Sequence, residues 1–256
     1  MTFHVASDAY DRLIGRYSVK LAPLFADFAA IGADTRVVDV GAGPGALTAE
    51  LAARAGAGRV AAIDPSEPFV AACRARVPGA DVRCAGVEEL PWEDASFDAA
   101  VAQLVVNFLR DAERGVREMA RVVRPGGVVA ACTLDLGEGV ELLHVFTEAA
   151  RSLDPNALDH GPVNRYRKPD ELRELWLSAG LSEVETAPLV VEVEYRSFDD
   201  FWAGFLTGIG PDSAYCVSLD SHRQELLRDE CRRRLGSPAG SFTLKALAWA
   251  VRGHVA

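Results

Sequence analysis

One feature constrains the fold of this chain more than any other. A short apolar segment is followed directly by a glycine-rich turn and then by an alanine-rich helix. Residues 36–40 are followed by a turn with glycine at every second position, and Ala46–Ala55 continues as a helix that Gly56 closes. The apolar character of 36–40 is typical of a strand buried on both faces. Glycines lack a Cβ and let the backbone approach a ligand closely, so the pattern predicts the start of a nucleotide-binding βαβ unit.

Short β-branched segments alternate with longer helical segments along most of the chain. This alternation indicates an α/β fold with a mainly parallel sheet. Beyond the first unit we predict strands at 59–64, 81–84, 97–103, 128–133, 183–195 and 242–252. Helices are predicted at 65–77, opened by Pro65 and Ser66, and at 112–123, 169–179 and within 197–235.

Charge, hydropathy pattern and cysteine content exclude several classes of protein. With 27 Lys and Arg against 37 Asp and Glu, the net charge of −10 would repel a phosphate backbone, so we expect no nucleic-acid partner. The N-terminus lacks the features of a secretory signal, and no segment approaches about 18 apolar residues, so we expect a cytoplasmic protein without membrane contact. Five cysteines without a Cys-x-x-Cys pair predict neither a disulfide framework nor a metal site.

An acidic residue lies where the ribose of a nucleotide is expected to bind. Asp64 ends the second predicted strand, 19 residues after Gly45, and a carboxylate there can accept hydrogen bonds from two ribose hydroxyls. Gly41, Gly43 and Ala46 also satisfy the Gly-x-Gly-x-x-Gly/Ala spacing of nicotinamide-dependent enzymes. The glycine turn by itself therefore leaves an NAD-dependent dehydrogenase open.

Four ordered motifs make the pattern more specific. They are Val-Val-Asp-Val-Gly-Ala-Gly-Pro-Gly at 37–45, Ala-Ile-Asp-Pro-Ser at 62–66, Leu-Pro-Trp-Glu-Asp-Ala-Ser-Phe-Asp at 90–98 and Arg-Val-Val-Arg-Pro-Gly-Gly at 121–127. Over about residues 36–134 the chain resembles the class I S-adenosylmethionine-dependent methyltransferases, in their ubiquinone/menaquinone-biosynthesis-like branch. The resemblance implies S-adenosylmethionine as cofactor and S-adenosylhomocysteine as product. It also implies a Rossmann-like, mostly parallel seven-stranded sheet with an antiparallel last strand, 242–252, and helices on both faces.

The resemblance further implies roles for individual residues. Asp39 would help to hold the cofactor's amino group, Asp64 would hold its ribose, and the turn glycines Gly41, Gly43 and Gly45 would pass under its methionine part. Gly86 departs from the family, because an Asp that contacts adenine is expected there. The other implied cofactor contacts are Pro65, Ser66, Val87 and Glu88 around adenine, Gln103 and Leu104 at the methyl end, and Tyr10 and Arg16, with Tyr17 in reserve, at the carboxylate. For the last three, ordinary packing of an amphipathic helix is the alternative.

The methyltransferase fold varies most outside its shared half, so the acceptor is expected to bind there. We predict one domain over 1–256, with a helical arm at 1–35, a cofactor-binding half at 36–134, substrate or lid insertions at 135–165 and 197–235, and a final strand within 236–256. The spacing of four aromatic residues in the second insertion favours core packing over a substrate wall: Phe198, Phe201, Trp202 and Phe205.

The expected reaction is in-line methyl transfer to a small, partly apolar molecule such as a quinol, a phenol or a natural-product intermediate. Asn107 could bond the substrate or cap the next turn, and His144 or His160 could act as a base or be surface histidines. The alternatives are a cofactor-binding module without catalysis and, less favoured, the dehydrogenase. Either a monomer or a homodimer is compatible with the sequence.

Overall fold

The computed structural model describes residues 11–137, 139–158, 165–208 and 210–256. Within these ranges, seven strands form one sheet: β1 Val37–Val40, β2 Val60–Asp64, β3 Asp81–Cys84, β4 Phe97–Gln103, β5 Val123–Leu134, β6 Ser182–Tyr195 and β7 Phe242–His254. Their order across the sheet is β3-β2-β1-β4-β5-β7-β6. Strand β7 pairs antiparallel with both β5 and β6, whereas the other neighbouring strands pair parallel. The predicted fold class, including the antiparallel last strand, is confirmed.

The helices cover both faces of the sheet. They are α1 Arg16–Phe28, α2 Ala46–Ala55, α3 Glu67–Arg76, α4 Ala112–Val122, α5 Glu141–Leu153, α6 Pro169–Ser178, α7 Phe198–Phe205, α8 Gly210–Ser218 and α9 Ser221–Arg234. A π-helical turn, Asp11–Gly15, leads into α1. Because side chains alternate along a strand, Val37 packs in the core cluster with α1, α2, α5 and α7, while Val38 packs with α4 and α6.

One strand begins earlier than predicted, and α5 lies in a segment for which no helix was predicted. Strand β5 begins at Val123 rather than at 128, because the Arg-Pro-Gly-Gly segment enters the sheet through a register shift opposite Phe97. At Gly127 a Cβ would lie 2.5 Å from the Asp98 carbonyl, so only glycine allows this close strand pairing. The 197–235 segment forms three helices, and positive φ angles at Gly208 and Gly210 mark the break between α7 and α8.

The predicted aromatic core is confirmed. The side chains of Phe198, Phe201, Trp202 and Phe205 are buried on α7, and Phe205 stacks on Phe146 of α5 at 4.0 Å between ring centroids. The described helices include none that is long and apolar enough to cross a membrane. Four of the five cysteines are buried as free thiols, and Cys84 is exposed.

Candidate functional site

The glycine turn, residues 41–45, connects β1 to α2 at the carboxyl edge of the sheet. Its backbone N–H groups are bonded within the protein: Gly41 and Ala42 donate to the Ile63 carbonyl at 2.8 Å, Gly43 donates to Asp64 Oδ2 at 2.9 Å, and Gly45 donates to the Ala42 carbonyl at 2.9 Å. The remaining residue, Pro44, has no N–H. A phosphate bound in such a turn needs unpaired N–H groups. The turn residues 41–45 themselves therefore offer no unpaired N–H group to a phosphate.

The three glycines of the turn have different surroundings, although each has a positive φ. A Cβ on Gly41 would lie 2.5 Å from Val105 Cγ2, and one on Gly45 would lie 2.8 Å from Cys73 Sγ. A Cβ on Gly43 would meet no atom within 4 Å. Gly41 and Gly45 thus make room for neighbouring side chains, whereas Gly43 borders open space in which a ligand can lie.

Asp39 lies beneath the turn and is 1% exposed. Its Oδ2 accepts a hydrogen bond from Thr48 Oγ1 at 2.6 Å, while Oδ1 is buried without a partner among the described residues. Burial raises the pKa of Asp39 to about 7, and hydrogen bonds from the hydroxyl and the backbone N–H of Thr48 oppose that rise. Since Thr48 lies in the first turn of α2, a carboxylate already occupies the position under this helix N-terminus.

Asp64 links the glycine turn to the start of α3. Its Oδ2 accepts from Gly43 N and its Oδ1 from Ser66 N, both at 2.9 Å. Burial raises the pKa of Asp64, and the two backbone donors lower it. Asp64 also raises the pKa of Asp39 through its charge. Two buried carboxylates in one site favour a cationic ligand over an anionic one.

The predicted adenine segment follows β3. Val87 is buried, Gly86 is exposed and Glu88 is half-buried. A Cβ on Gly86 would lie 3.3 Å from Glu88 Oε2, so the Glu88 carboxylate stands beside the place of the missing side chain. Pro65 accepts a weak bond from the exposed Cys84 thiol, 3.7 Å from its carbonyl. The adenine contacts of these residues and of Ser66 remain predictions.

Gln103 and Leu104 lie where β4 ends. Gln103 Nε2 donates to the Ser18 carbonyl at 3.1 Å, which places α1 at the carboxyl end of β4. Gln103 Oε1 is buried and has no partner among the described residues. Leu104 adopts a φ of 62°, an uncommon conformation for a residue other than glycine, and it precedes the Val105 side chain that packs on Gly41. The path of the chain after β4 is thus set by contacts on both sides.

The N-terminal arm contacts the second insertion. Arg16 forms a two-pronged ion pair with Asp200 of α7, one contact being 3.0 Å, and its guanidinium lies 4.9 Å from the Tyr195 ring centre. Tyr17 is fully buried, with its hydroxyl 3.1 Å from that of Tyr195. In the structure, therefore, Arg16 is engaged by α7, and its contact with a cofactor carboxylate remains a prediction. Tyr10 lies outside the described residues.

The candidate catalytic residues do not form one cluster in the described part of the structure. His144 is exposed on α5, as expected of a surface histidine, and His160 lies outside the described residues. Asn107 is 9% exposed in a 3₁₀ turn, Val106–Phe108, and the N-cap of α4 is Asp111, which accepts from Arg114 N at 2.9 Å. Asn107 is thus not the cap of the following helix, and a substrate contact for it remains a prediction.

Sequence reasoning missed several residues of this site. Thr48 holds Asp39, Cys73 and Val105 pack on the turn, and Asp200 holds Arg16. Thr48 carried a usable signal, since a hydroxyl in the first turn of the helix after an acidic strand can bond that acid. The other partners come from distant segments, and no local pattern marks them.

Comparisons with known proteins agree with this architecture. Residues 38–131 match the methyltransferase domain family. A malonyl-[acyl-carrier protein] O-methyltransferase of Pseudescherichia vulneris is 30% identical over 199 residues, which are 77% of this chain and 72% of that protein. A protein of the same name from Dechloromonas aromatica is 29% identical over 246 residues, 93% of this chain and 87% of the relative. A solved structure from Anaeromyxobacter dehalogenans, titled a putative type II methyltransferase, has a TM-score of 0.68 at 24% identity and covers 91% of this chain and 96% of that one.

Proposed function

Because the chain belongs to the class I S-adenosylmethionine-dependent methyltransferases, we propose that it methylates a small, partly apolar molecule bound at the carboxyl edge of the sheet. One observation carries this proposal: the N-terminal arm and the second insertion contact each other over that edge. Gln103 at the end of β4 holds the arm through Ser18, and Arg16 of the arm holds α7. Such a cover favours a small acceptor over an extended polymer.

Half-buried apolar side chains near this edge support a partly apolar acceptor. Ile14 of the arm, Leu104 after β4 and Leu136 after β5 pack at the border of the large core cluster. Their partial exposure leaves apolar surface that a ligand can cover. The same residues would keep water away from the reacting atoms.

S-adenosylmethionine supplies, when bound, a methyl group activated on a sulfonium sulfur, which an acceptor displaces in line. The residues present fit its charge, because Asp39 and Asp64 are buried carboxylates next to the open side of Gly43. The chain's own part is to orient the two molecules and to exclude water. A general base is not required, which agrees with the exposed position of His144.

Calorimetry and product analysis test this proposal. We expect micromolar binding of S-adenosylmethionine, and formation of S-adenosylhomocysteine when a panel of phenols, quinols and apolar carboxylic acids is added. Methyl esters release methanol in alkali and methyl ethers do not, so base treatment of labelled product separates a methylated carboxylate from a methylated hydroxyl. Intact cofactor binding with no product from any acceptor would instead favour a binding module without catalysis.

A second candidate acceptor is a carboxylate carried on an acyl-carrier protein, as in the names of two relatives. One observation supports it: three cationic residues, Arg165, Arg167 and Lys168, follow one another closely near the end of β5. Lys168 Nζ lies 3.8 Å from Asp135 Oδ2, and the Arg167 guanidinium lies beside Gly137. Incubation with malonyl-loaded carrier protein should then give a base-labile methyl ester, and free malonate should not.

The cellular setting and the boundaries within the chain belong to the same proposal. We propose a cytoplasmic enzyme that acts as a monomer or a homodimer. The arm at 1–35 and the insertions at 135–165 and 197–235 would then select the acceptor, while 36–134 holds the cofactor. Exchanging an insertion with that of a relative should change the acceptor and leave cofactor affinity within about threefold, or 0.7 kcal/mol.

A further inference from the structure

Beneath the glycine turn, three buried side chains form a series of hydrogen bonds that ends on a carboxylate. The Cys73 thiol donates to Thr48 Oγ1 at 3.5 Å, and that hydroxyl donates to Asp39 Oδ2 at 2.6 Å. The other oxygen, Asp39 Oδ1, is buried and has no partner in the described part of the chain. A buried acceptor without a donor is rare and points to a missing partner.

We propose that Thr48 is a positioning residue, which keeps the Asp39 carboxylate ionised and oriented beneath the glycine turn, where it attracts the cationic methionine end of S-adenosylmethionine. A short bond from a hydroxyl to a carboxylate is stronger than one between neutral groups. Without that bond, only the backbone N–H of Thr48 would still oppose protonation of the buried carboxylate, which near neutral pH would take up a proton more readily and lose its attraction for a cation. The proposal rests on the cofactor of the family, not on the identity of the acceptor.

The titratable groups around Asp39 come from three further elements. Asp64 of β2 raises its pKa, while Cys73 of α3 and Cys132 of β5 are buried thiols whose own pKa values burial raises, to about 11 for Cys73. Among the described groups that influence Asp39, none is cationic. The described groups around Asp39 thus leave its charge unbalanced, and the cationic methionine end of the ligand can balance it.

The affinity of this site for S-adenosylmethionine should depend most strongly on pH near neutrality. Burial brings the pKa of Asp39 to about 7, so ligand binding should draw the site into its ionised form and release a proton. The affinity should therefore rise as the pH increases through about 7. The α-amino group of the ligand loses its own charge near pH 8, which should lower the affinity on the alkaline side.

The test is the pH profile of S-adenosylmethionine affinity, measured by calorimetry from pH 6 to 9 on the full chain. Thr48→Val removes the hydroxyl and should move the acid-side midpoint up by about one pH unit, which weakens binding about fivefold at pH 7 and hardly at pH 9. Thr48→Ser keeps the hydroxyl and should keep the wild-type midpoint. The fall in affinity on the alkaline side comes from the α-amino group of the ligand, so it should be the same in all variants.

Thr133→Val is the matched control, because Thr133 is also fully buried and donates its hydroxyl, to the Tyr166 carbonyl at 2.5 Å. This variant should lower stability without moving the midpoint. Asp39→Asn should bind weakly with no acid-side dependence. A wild-type midpoint in Thr48→Val, or in Thr48→Ala should the valine variant not fold, would show that Thr48 only packs. Wild-type affinity that is constant from pH 6 to 7.5 would overturn the proposal without bearing on the acceptor.

Discussion

The glycine turn and the junction between the arm and α7 lie at the same edge of the sheet but are held together differently. In the turn, backbone N–H groups bond to Ile63, Asp64 and Ala42, all within about twenty residues along the chain. At the junction, the ion pair of Arg16 with Asp200 joins side chains 184 residues apart. Local backbone contacts make a rigid binding site, whereas distant side-chain contacts allow a cover that can differ between relatives.

The largest expected effect comes from adding one methyl group in the turn. Gly41→Ala places a Cβ 2.5 Å from Val105 in a residue with a φ of 75°, so we expect a loss of about 3 kcal/mol in stability and at least 100-fold in cofactor affinity. Gly43→Ala faces open space, and only its φ of 53° opposes the change, about 1 kcal/mol. Chemical unfolding measures the stability of the two variants, and calorimetry measures their affinity for S-adenosylmethionine. Equal loss of stability in the two variants would contradict this distinction.

A second test separates binding from stability at Asp39. The pKa of Asp39 is about 7 in the folded protein against 3.8 as its ordinary value. Folding therefore favours the protonated acid, and this contribution to stability is present below about pH 4 and lost as the pH rises to 7. Asp39→Asn should stabilise the cofactor-free protein by about 2 kcal/mol at pH 8 and hardly at pH 4.5. Urea unfolding of the wild type and of Asp39→Asn at both pH values measures this effect. Equal destabilisation of the variant at both pH values would refute the expectation.

A double-mutant cycle tests the junction. Arg16 and Asp200 are about one-quarter and one-fifth exposed, so we expect a coupling of about 1 kcal/mol in unfolding free energy. Loss of the ion pair should reduce kcat/KM for the acceptor about tenfold in both single variants, while cofactor affinity changes less than threefold. Arg16→Ala alone weakening the cofactor more than tenfold, with Asp200→Ala neutral, would place Arg16 at the cofactor carboxylate instead.

The smallest effect is expected at His144. Its side chain is exposed on α5. His144→Ala should change kcat less than twofold between pH 6 and 9, because methyl transfer to an oriented acceptor needs no base from this position. A loss of activity confined to low or high pH would assign a proton-transfer role to His144.

Much of the cofactor-binding half could be predicted from the sequence, because its signals are local. The helix Ala46–Ala55 and the strands Asp81–Cys84 and Phe97–Gln103 occur at the predicted bounds. Strand β5 began earlier than predicted, since Gly127 allows a close pairing that its neighbours in sequence do not indicate. Where a strand boundary depends on pairing with another strand rather than on neighbouring residues, β-propensity alone does not predict it.

By itself, the sequence determined the α/β class, the glycine turn with Asp39 and Asp64, and the family, because residue spacing along one βαβ unit specifies them. The tertiary structure decided that the N–H groups of the turn are bonded internally, that Thr48 holds Asp39 and that Arg16 meets Asp200. Two of these contacts, from Asp39 to Thr48 and from the turn to Ile63, require only a short unit to fold. The contact of Arg16 with α7 requires the whole sheet, since β6 must first bring residue 200 beside the arm.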